Sequence, residues 1–160
     1  MRFTTADLCD AFGPAVQSAQ PVFRDYGGTS RFAGPIETLR VFEDNALVRE
    51  ALGTPGQGRV LVVDGGGSLR TALVGSQLAE LAQTNKWAGL IVNGCIRDWA
   101  ETRRIPVGIK ALSTSPRRSG KAGSGERGVP VTFAGLTFSP GQFVYADEDG
   151  VILAGQDLSR

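Results

Sequence analysis

Two short apolar runs, separated by a helical pattern, constrain the fold of this chain more than any other feature. The first, Val60–Val63, is rich in β-branched residues and ends at Asp64 and three glycines, as a buried strand before a flexible turn does. The second run, Leu90–Val92, has the same character. A helix between two such strands predicts a right-handed crossover, so the strands should lie parallel in one sheet.

The segment between these strands predicts an amphipathic helix. Ser76 is a suitable N-cap, and the apolar residues after it fall on one face as far as Lys86-Trp87. These residues are Leu78, Ala79, Leu81 and Ala82. Because parallel strands end at one edge of their sheet, the turn after Val63, the start of this helix and residues 93–98 should form one site.

The rest of the chain predicts short elements joined by glycine turns, within a single α/β domain that covers residues 1–160. A helix capped by Thr5 should end at Phe12, a strand should cover Ile36–Phe42, and a second helix should follow Asp44-Asn45 and end near Leu52. Antiparallel or mixed strands are expected at Val107–Ile109, Val129–Phe133, Leu136–Phe138, Phe143–Tyr145 and Val151–Leu153.

One segment between those strands, Ser113–Gly128, is rich in glycine, serine and basic residues. Its net charge is +3, from Arg117, Arg118, Lys121 and Arg127 against Glu126. A solvated loop, a subunit contact and an anion site are all consistent with this composition.

The absence of histidine limits the catalytic groups and metal ligands that this protein can use. It excludes Ser-His-Asp and Cys-His catalysis and metals ligated by imidazole. Any metal should therefore be an oxygen-seeking ion such as Mg²⁺ or Mn²⁺.

Cys9 and Cys95 stand far apart and outside a Cys-x-x-Cys spacing, so we expect two reduced, buried thiols. The glycines of Gly65–Gly67 complete neither a dinucleotide-binding fingerprint nor a P-loop, which disfavours nucleotide binding.

Charge and hydropathy exclude further classes of protein. A net charge of +1 provides no overall attraction for nucleic acid or an anionic membrane. No apolar run approaches the roughly 20 residues that span a bilayer, and the first residues lack the apolar stretch of a signal peptide. We therefore expect a cytoplasmic protein without nucleic-acid or membrane partners.

The candidate site combines a helix start with two charged residues after the second buried strand. Gly75-Ser76-Gln77-Leu78 should present backbone N–H groups and the positive end of the helix dipole to a carboxylate or phosphate, although an ordinary capped helix is the alternative. Arg97 can bind a carboxylate or carbonyl group, and Asp98 can ligate Mg²⁺ while leaving positions for water and substrate. A surface ion pair is the alternative for these two residues.

Several stretches together resemble the RraA-like family, which includes regulators of ribonuclease activity and metal-dependent 4-hydroxy-4-methyl-2-oxoglutarate aldolases. The resemblance covers nearly the whole chain and rests on Leu8–Asp10, Phe23–Gly28, Phe32–Ile36, Phe42–Asn45, Val60–Gly67, Gly89–Asp98 and Phe143–Gly150. It implies a compact, three-layer α/β/β swivelling-domain fold with mixed sheets. It also implies a ring-shaped homotrimer with active sites between subunits.

Aldolase members of that family carry a glycine before a helix, then Arg-Asp about twenty residues on, then two residues and an acid. Gly75, Arg97, Asp98 and Glu101 match this pattern, with 21 residues between Gly75 and Arg97. By resemblance, Gly75 to Leu78 and Arg97 hold the pyruvyl part of the substrate, and Asp98 ligates the metal. Ser76 departs from the pattern, because aldolase members often have an acidic residue there.

The resemblance implies a divalent-metal-dependent lyase of the class II aldolase type. It would cleave 4-hydroxy-4-methyl-2-oxoglutarate and decarboxylate oxaloacetate, since both reactions generate the pyruvate enolate. The alternative is a noncatalytic regulator that binds and inhibits a ribonuclease or helicase. Asp98 favours the enzyme, because ribonuclease-inhibiting members can lack that aspartate.

Overall fold

The computed structural model describes residues 2–159, which form four α-helices and twelve β-strands. The helices are α1 (Thr5–Phe12), α2 (Ala46–Leu52), α3 (Ser76–Thr84) and α4 (Trp99–Thr102). The strands are β1 (Val16–Ser18), β2 (Arg24–Asp25), β3 (Phe32–Arg40), β4 (Val60–Asp64), β5 (Ala72–Val74), β6 (Gly89–Ile96), β7 (Gly108–Thr114), β8 (Glu126–Arg127), β9 (Val131–Phe133), β10 (Leu136–Phe138), β11 (Phe143–Asp147) and β12 (Gly150–Ala154). Within residues 2–159, no helix has the length and apolar character needed to cross a bilayer.

The predicted parallel pairing of the two apolar strands is confirmed. Strands β4 and β6 are parallel neighbours in register, with Val62 opposite Ile91, and α3 lies between them in the chain. The main sheet has the order β1-β12-β11-β3-β4-β6-β7-β2, while β5 pairs with β6 and β8 with β3. Parallel pairs lie at its centre and antiparallel pairs at both ends, so the predicted mixed sheet is confirmed as well.

Alternate residues of the central strands supply two separate cores. Leu61 and Val63 of β4 pack in one cluster with Leu52 of α2 and Ala79 of α3. Val60 and Val62 of the same strand pack on the opposite face, in a cluster with residues of β9 to β12 such as Val144 and Leu153. Helices thus cover one face of the central parallel strands. The hairpin of β9 and β10 packs on the other face together with β11 and β12, which continue the same sheet from β3. The α/β class is confirmed, and these layers agree with the predicted α/β/β arrangement.

Several element boundaries differ from the predictions. Thr4, not Thr5, caps α1, since its side chain accepts a hydrogen bond from the Asp7 N–H at 3.0 Å. The Thr5 hydroxyl instead donates to the buried Asp147 carboxylate at 2.7 Å. The strand expected over 36–42 is β3, which begins at Phe32 and ends at Arg40.

The two cysteines differ in burial. Both thiols are free, and Cys95 is buried as predicted, where burial raises the pKa of its thiol. Cys9 is only half-buried, so the expectation of burial was wrong for it.

Candidate functional site

The site begins where β6 ends and the chain turns into α4. Asp98 adopts a left-handed backbone conformation, with φ 62° and ψ 40°, which aspartate tolerates better than most residues. Its carbonyl accepts hydrogen bonds from the N–H groups of Glu101 and Thr102, and this stabilises the turn. Just before it, the Arg97 N–H donates to the Val74 carbonyl at 2.9 Å. Arg97 and Asp98 are thereby held beside the chain segment that enters α3.

The Asp98 carboxylate lies at the N-terminus of α3. Its Oδ2 atom accepts hydrogen bonds from the Ser76 N–H at 2.9 Å and from the Ser76 hydroxyl at 3.2 Å. The Ser76 N–H is therefore already bonded within the protein and is not one of the groups that α3 presents to a ligand. Gly75, rather than Ser76, is the N-cap, and because it has no side chain the carboxylate from β6 serves in its place. The N–H groups of Gln77 and Leu78 belong to the first turn and have no acceptor within the helix.

Gly75 is required by close approach rather than by backbone conformation. Its φ of −127° and ψ of −166° are extended values that any residue adopts. A Cβ at this position, however, would lie 2.7 Å from Asp98 Oδ2 and 3.3 Å from Arg97 Cγ. The glycine of the predicted motif therefore lets both charged side chains lie against the start of α3.

These residues line a cleft of about 280 Å³. All six predicted site residues are there, namely Gly75, Ser76, Gln77, Leu78, Arg97 and Asp98. The cleft also contains Asn45, Arg49, Ala72, Arg118 and Lys121, which sequence reasoning did not assign to the site. Glu101 and the glycine turn Gly65–Gly67 are not among its lining residues, although Gly65 donates its N–H to the Asn93 carbonyl at 3.0 Å. The helix start and Asp98 therefore lie together as predicted, whereas the prediction that the glycine turn belongs to the same cleft was wrong.

The cleft is electropositive. Four basic side chains line it, those of Arg49, Arg97, Arg118 and Lys121, against the single carboxylate of Asp98. In the described part of the chain the salt bridges join other residues, so no carboxylate neutralises these four cations. The surface ion pair considered for Arg97 and Asp98 is accordingly not formed. A cleft with one sign of charge concentrates small ligands of the opposite sign, here anions.

Two of the cations come from the basic segment 113–128, which is attached to the domain rather than freely solvated. The Ala72 N–H donates to the Arg117 carbonyl at 2.7 Å, and the buried Ser119 hydroxyl donates to the Ala72 carbonyl at 2.7 Å. The end of the segment forms β8, which pairs with β3. These contacts do not agree with a freely solvated loop, while a subunit contact and an anion site both stay predictions.

Asp44 anchors the same segment from the start of α2. It is buried, and its carboxylate accepts hydrogen bonds from the N–H groups of Ala122 at 2.6 Å, Gly123 at 3.2 Å and Ala46 at 3.1 Å. Burial alone would raise the pKa of this carboxyl, but the backbone donors outweigh burial and hold the pKa below its usual value of 3.8. The ionised form of Asp44 is therefore the one that fastens the segment.

We expect the contribution of Asp44 to stability to depend on pH. Because its pKa is lower in the folded than in the unfolded protein, the stabilisation is complete above the unfolded-state pKa near 3.8 and is lost as pH falls through the folded-state pKa. The variant Asp44→Asn should thus be less stable than wild type at neutral pH, and the difference should shrink in acid. Denaturant titrations across this range measure it, with exposed Asp10→Asn as the control. A difference that stays constant with pH would contradict the assignment.

The donor set fits a metal held by a single protein ligand. No cluster of three or more metal-binding side chains occurs among residues 2–159. Both hydrogen bonds from Ser76 go to Asp98 Oδ2, and within residues 2–159 no hydrogen bond goes to Oδ1. Mg²⁺ commonly binds one or two carboxylates and keeps its remaining positions for water and substrate. Asp98 would therefore hold such an ion through Oδ1, in a cleft open to an anionic substrate.

The family model for RraA-like proteins, described as Aldolase/RraA, matches residues 5–153. The chain belongs to the RraA-like family. A curated relative from Alkalilimnicola ehrlichii is 55% identical over 158 residues, covering 99% of this chain and 98% of that protein, and bears the name "Putative 4-hydroxy-4-methyl-2-oxoglutarate aldolase".

Two solved structures share the complete RraA-like fold. One, from Thermus thermophilis, is described as the RNA-processing inhibitor RraA and matches with a TM-score of 0.94 and 49% identity, covering 98% of this chain and 94% of that one. The other, from Geobacillus kaustophilus, is described as an S-adenosylmethionine: 2-dimethylmenaquinone methyltransferase. It matches with a TM-score of 0.94 and 50% identity over 98% of each chain. Names within the family thus point to three different functions, and the chemistry of the cleft has to discriminate among them.

Proposed function

We propose that this protein is a divalent-metal-dependent lyase that acts on 2-oxo acids, cleaving 4-hydroxy-4-methyl-2-oxoglutarate and decarboxylating oxaloacetate. The observation that carries the proposal is the position of the Asp98 carboxylate, 2.9 Å from the Ser76 N–H at the start of α3. A potential metal ligand, a helix N-terminus and Arg97 thereby meet in one electropositive cleft. The aldolase name of the Alkalilimnicola relative, 55% identical over nearly the full length, supports the same reaction class.

Each residue has a distinct role in the proposed reaction. The N–H groups of Gln77 and Leu78 bind the carboxylate next to the keto group, favoured by the helix dipole. Arg97 donates to the keto oxygen and stabilises the negative charge that develops there. When bound at Asp98, the divalent ion withdraws electrons from the keto acid, which favours cleavage of the bond between C3 and C4. In both reactions the bond electrons pass to C3, and protonation of the resulting enolate gives pyruvate.

Pyruvate release from oxaloacetate tests the proposal directly. Purified protein is assayed with oxaloacetate and Mg²⁺ or Mn²⁺, with and without EDTA. Free metal ions also decarboxylate oxaloacetate, so a reaction with metal but no protein must be subtracted. We expect protein-dependent release that EDTA removes and added metal restores. Release that is unaffected by EDTA, or no release from oxaloacetate above the subtracted rate, would refute the proposal.

Ser76 should make the two reactions unequal. Aldol cleavage requires removal of a proton from the 4-hydroxyl group, whereas loss of CO₂ from oxaloacetate does not. Ser76 lacks the carboxylate that aldolase members often have next to the glycine, so we expect decarboxylation to be at least about 100-fold faster, the low end of what general-base catalysis contributes. Comparing kcat for the two substrates under identical conditions measures the ratio. A faster aldol cleavage would show that another group acts as the base.

Regulation of an RNA-processing enzyme is the second candidate, because the Thermus structure described as an inhibitor is 49% identical. This function would use the outer surface, so a pull-down with a ribonuclease or helicase should succeed equally well with wild type and with Asp98→Ala. The homotrimer stays a prediction, which light scattering coupled to size-exclusion chromatography can test.

A further inference from the structure

Asp98 has a backbone conformation that the rest of the structure must impose. Its φ of 62° and ψ of 40° lie in the left-handed region, where a residue other than glycine persists only if its surroundings fix it. The direction of the Asp98 side chain follows from this conformation. The contacts that hold the turn therefore also determine where the carboxylate lies.

The helix α4, which begins directly after Asp98, cannot hold the turn by itself. It comprises four residues, Trp99–Thr102, and a single helical turn is unstable in isolation. It is bonded to Asp98, because the N–H groups of Glu101 and Thr102 donate to the Asp98 carbonyl at 2.9 Å and 2.8 Å. Contacts that fix α4 from outside thus fix Asp98 as well.

Thr102 and Trp99 supply such contacts, and both attach α4 to Tyr26. Thr102 is fully buried, and its hydroxyl donates to the Tyr26 carbonyl at 2.7 Å across 76 positions of the chain. At the other end of α4, the Trp99 ring packs edge-on against the Tyr26 ring, with the ring centroids 5.7 Å apart. Neither Thr102 nor Trp99 lines the cleft, so each acts on the site through α4 and the turn at Asp98.

Tyr26 is a firm anchor for α4, because its own backbone is held by the central sheet. Its N–H donates to the Ile109 carbonyl of β7 at 2.9 Å, and the Gly28 N–H donates to the Ile105 carbonyl at 2.8 Å. Strand β7 is the parallel neighbour of β6, the strand that leads into Asp98. Asp98 is therefore attached to the sheet twice, once through β6 and once through α4, Tyr26 and β7.

We propose that Thr102 is a positioning residue for Asp98: its hydroxyl fixes α4 on Tyr26 and so holds the carboxylate at the start of α3, in place to bind the metal. The part of this inference that concerns the metal rests on the proposed function, whereas the position of the carboxylate does not. Removal of a group that orients a metal ligand typically weakens metal affinity by roughly 10- to 100-fold.

The Ser76 amide reports the position of the carboxylate, because it donates to Asp98 Oδ2 at 2.9 Å. Thr102→Val keeps the shape of the side chain and removes the hydroxyl. In this variant of the full chain, we expect the Ser76 N–H to exchange with solvent at least about tenfold faster by NMR, the size expected for one hydrogen bond to a charged group. The Ala79 N–H, which donates to the Gly75 carbonyl at 3.0 Å, should exchange as in wild type if α3 is intact.

Metal affinity is the second measurement. Calorimetric titration with Mg²⁺ should show about tenfold weaker binding to Thr102→Val than to wild type. Thr102→Ser keeps the hydroxyl and should restore both the Ser76 exchange rate and the Mg²⁺ affinity. Trp99→Ala removes the other contact at a half-exposed position, where the fold should tolerate the change. It should speed Ser76 exchange about threefold, within the range for one aromatic pair.

Thr38→Val is the matched control. Thr38 of β3 is also fully buried, its hydroxyl donates to the Val129 carbonyl at 2.6 Å, and it does not line the cleft. This variant should lower Tm about as much as Thr102→Val but leave Ser76 exchange and Mg²⁺ affinity unchanged. Equal effects of the two variants on Ser76 exchange, or a wild-type exchange rate in Thr102→Val, would show that Thr102 contributes to stability alone and would overturn the inference.

The two proposals fail separately. If Ser76 exchange responds to Thr102→Val and recovers in Thr102→Ser, but wild type neither binds Mg²⁺ nor releases pyruvate, the positioning role stands and the lyase proposal is wrong. If wild type binds Mg²⁺ and releases pyruvate while Thr102→Val does both equally well, the lyase proposal stands and the positioning role is wrong.

Discussion

Asp98→Ala should lower pyruvate release from both substrates by about 100-fold or more, because the Lewis acidity of a bound metal is worth several kcal/mol and about 1.4 kcal/mol corresponds to tenfold in rate. The substitution has a structural effect as well, since it removes the acceptor for the Ser76 N–H at the start of α3. Loss of such a cap costs about 1 kcal/mol. For a domain of this size, that shifts Tm by roughly 2–4 °C.

Asp98→Asn separates the two effects. Its amide oxygen can still accept from Ser76, but the negative charge that favours a divalent cation is gone. We therefore expect a Tm close to that of wild type together with nearly the full loss of activity. Asp10→Ala is the control, because Asp10 is exposed on α1 and does not line the cleft. Steady-state rates at saturating Mg²⁺, with Tm measured on the same samples, distinguish loss of the metal ligand from loss of the helix cap. Metal-dependent activity within a few-fold of wild type in Asp98→Asn would exclude Asp98 as the metal ligand.

Local sequence patterns predicted the central part of the fold well. The β-branched run at Val60–Val63 and the apolar face beginning at Leu78 have unambiguous periods, and they form β4 and α3. The parallel pairing then follows from the length of the crossover, and it brings Ser76 and Asp98 together although 22 positions separate them. The predicted pair of parallel strands with a helix between them, rather than any single motif, indicated where the site lies.

What the sequence did not predict depends on contacts between distant segments. Arg118 and Lys121 reach the cleft because Ala72 and the buried Asp44 bind their segment, and neither contact has a local periodicity. Strand β5 was missed for a related reason, since only three residues, Ala72–Val74, form it. The left-handed backbone conformation of Asp98 could not be predicted from the sequence either, because a positive φ in a residue other than glycine is imposed by the surrounding structure. Net charge did indicate an anion site as one alternative for the basic segment, but not its location.

Gly75→Ala should inactivate the enzyme while leaving the fold intact. The added Cβ would lie 2.7 Å from Asp98 Oδ2 and 3.3 Å from Arg97 Cγ, so both side chains must move away from the α3 terminus. Displacement of a reacting group by about 1 Å costs about 100-fold in rate, and we expect a loss of that size. The extended φ of −127° suits alanine, and the displaced carboxylate is the flexible end of a side chain, so the fold itself should tolerate the change.

Gly155→Ala provides the control for Gly75→Ala, because a Cβ at Gly155 would meet no atom within 4 Å. Gly155→Ala should unfold at the wild-type temperature, and Gly75→Ala should unfold no more than roughly 2–4 °C below it, the shift expected for loss of the Asp98 cap. Only Gly75→Ala should lose pyruvate release. Metal titration followed by calorimetry adds a readout independent of turnover, in which Gly75→Ala should bind Mg²⁺ more weakly because Asp98 is displaced. If Gly75→Ala kept both its activity and its metal affinity, the close packing of Asp98 and Arg97 against α3 would have no part in the chemistry, and the site would have to be sought elsewhere on the protein.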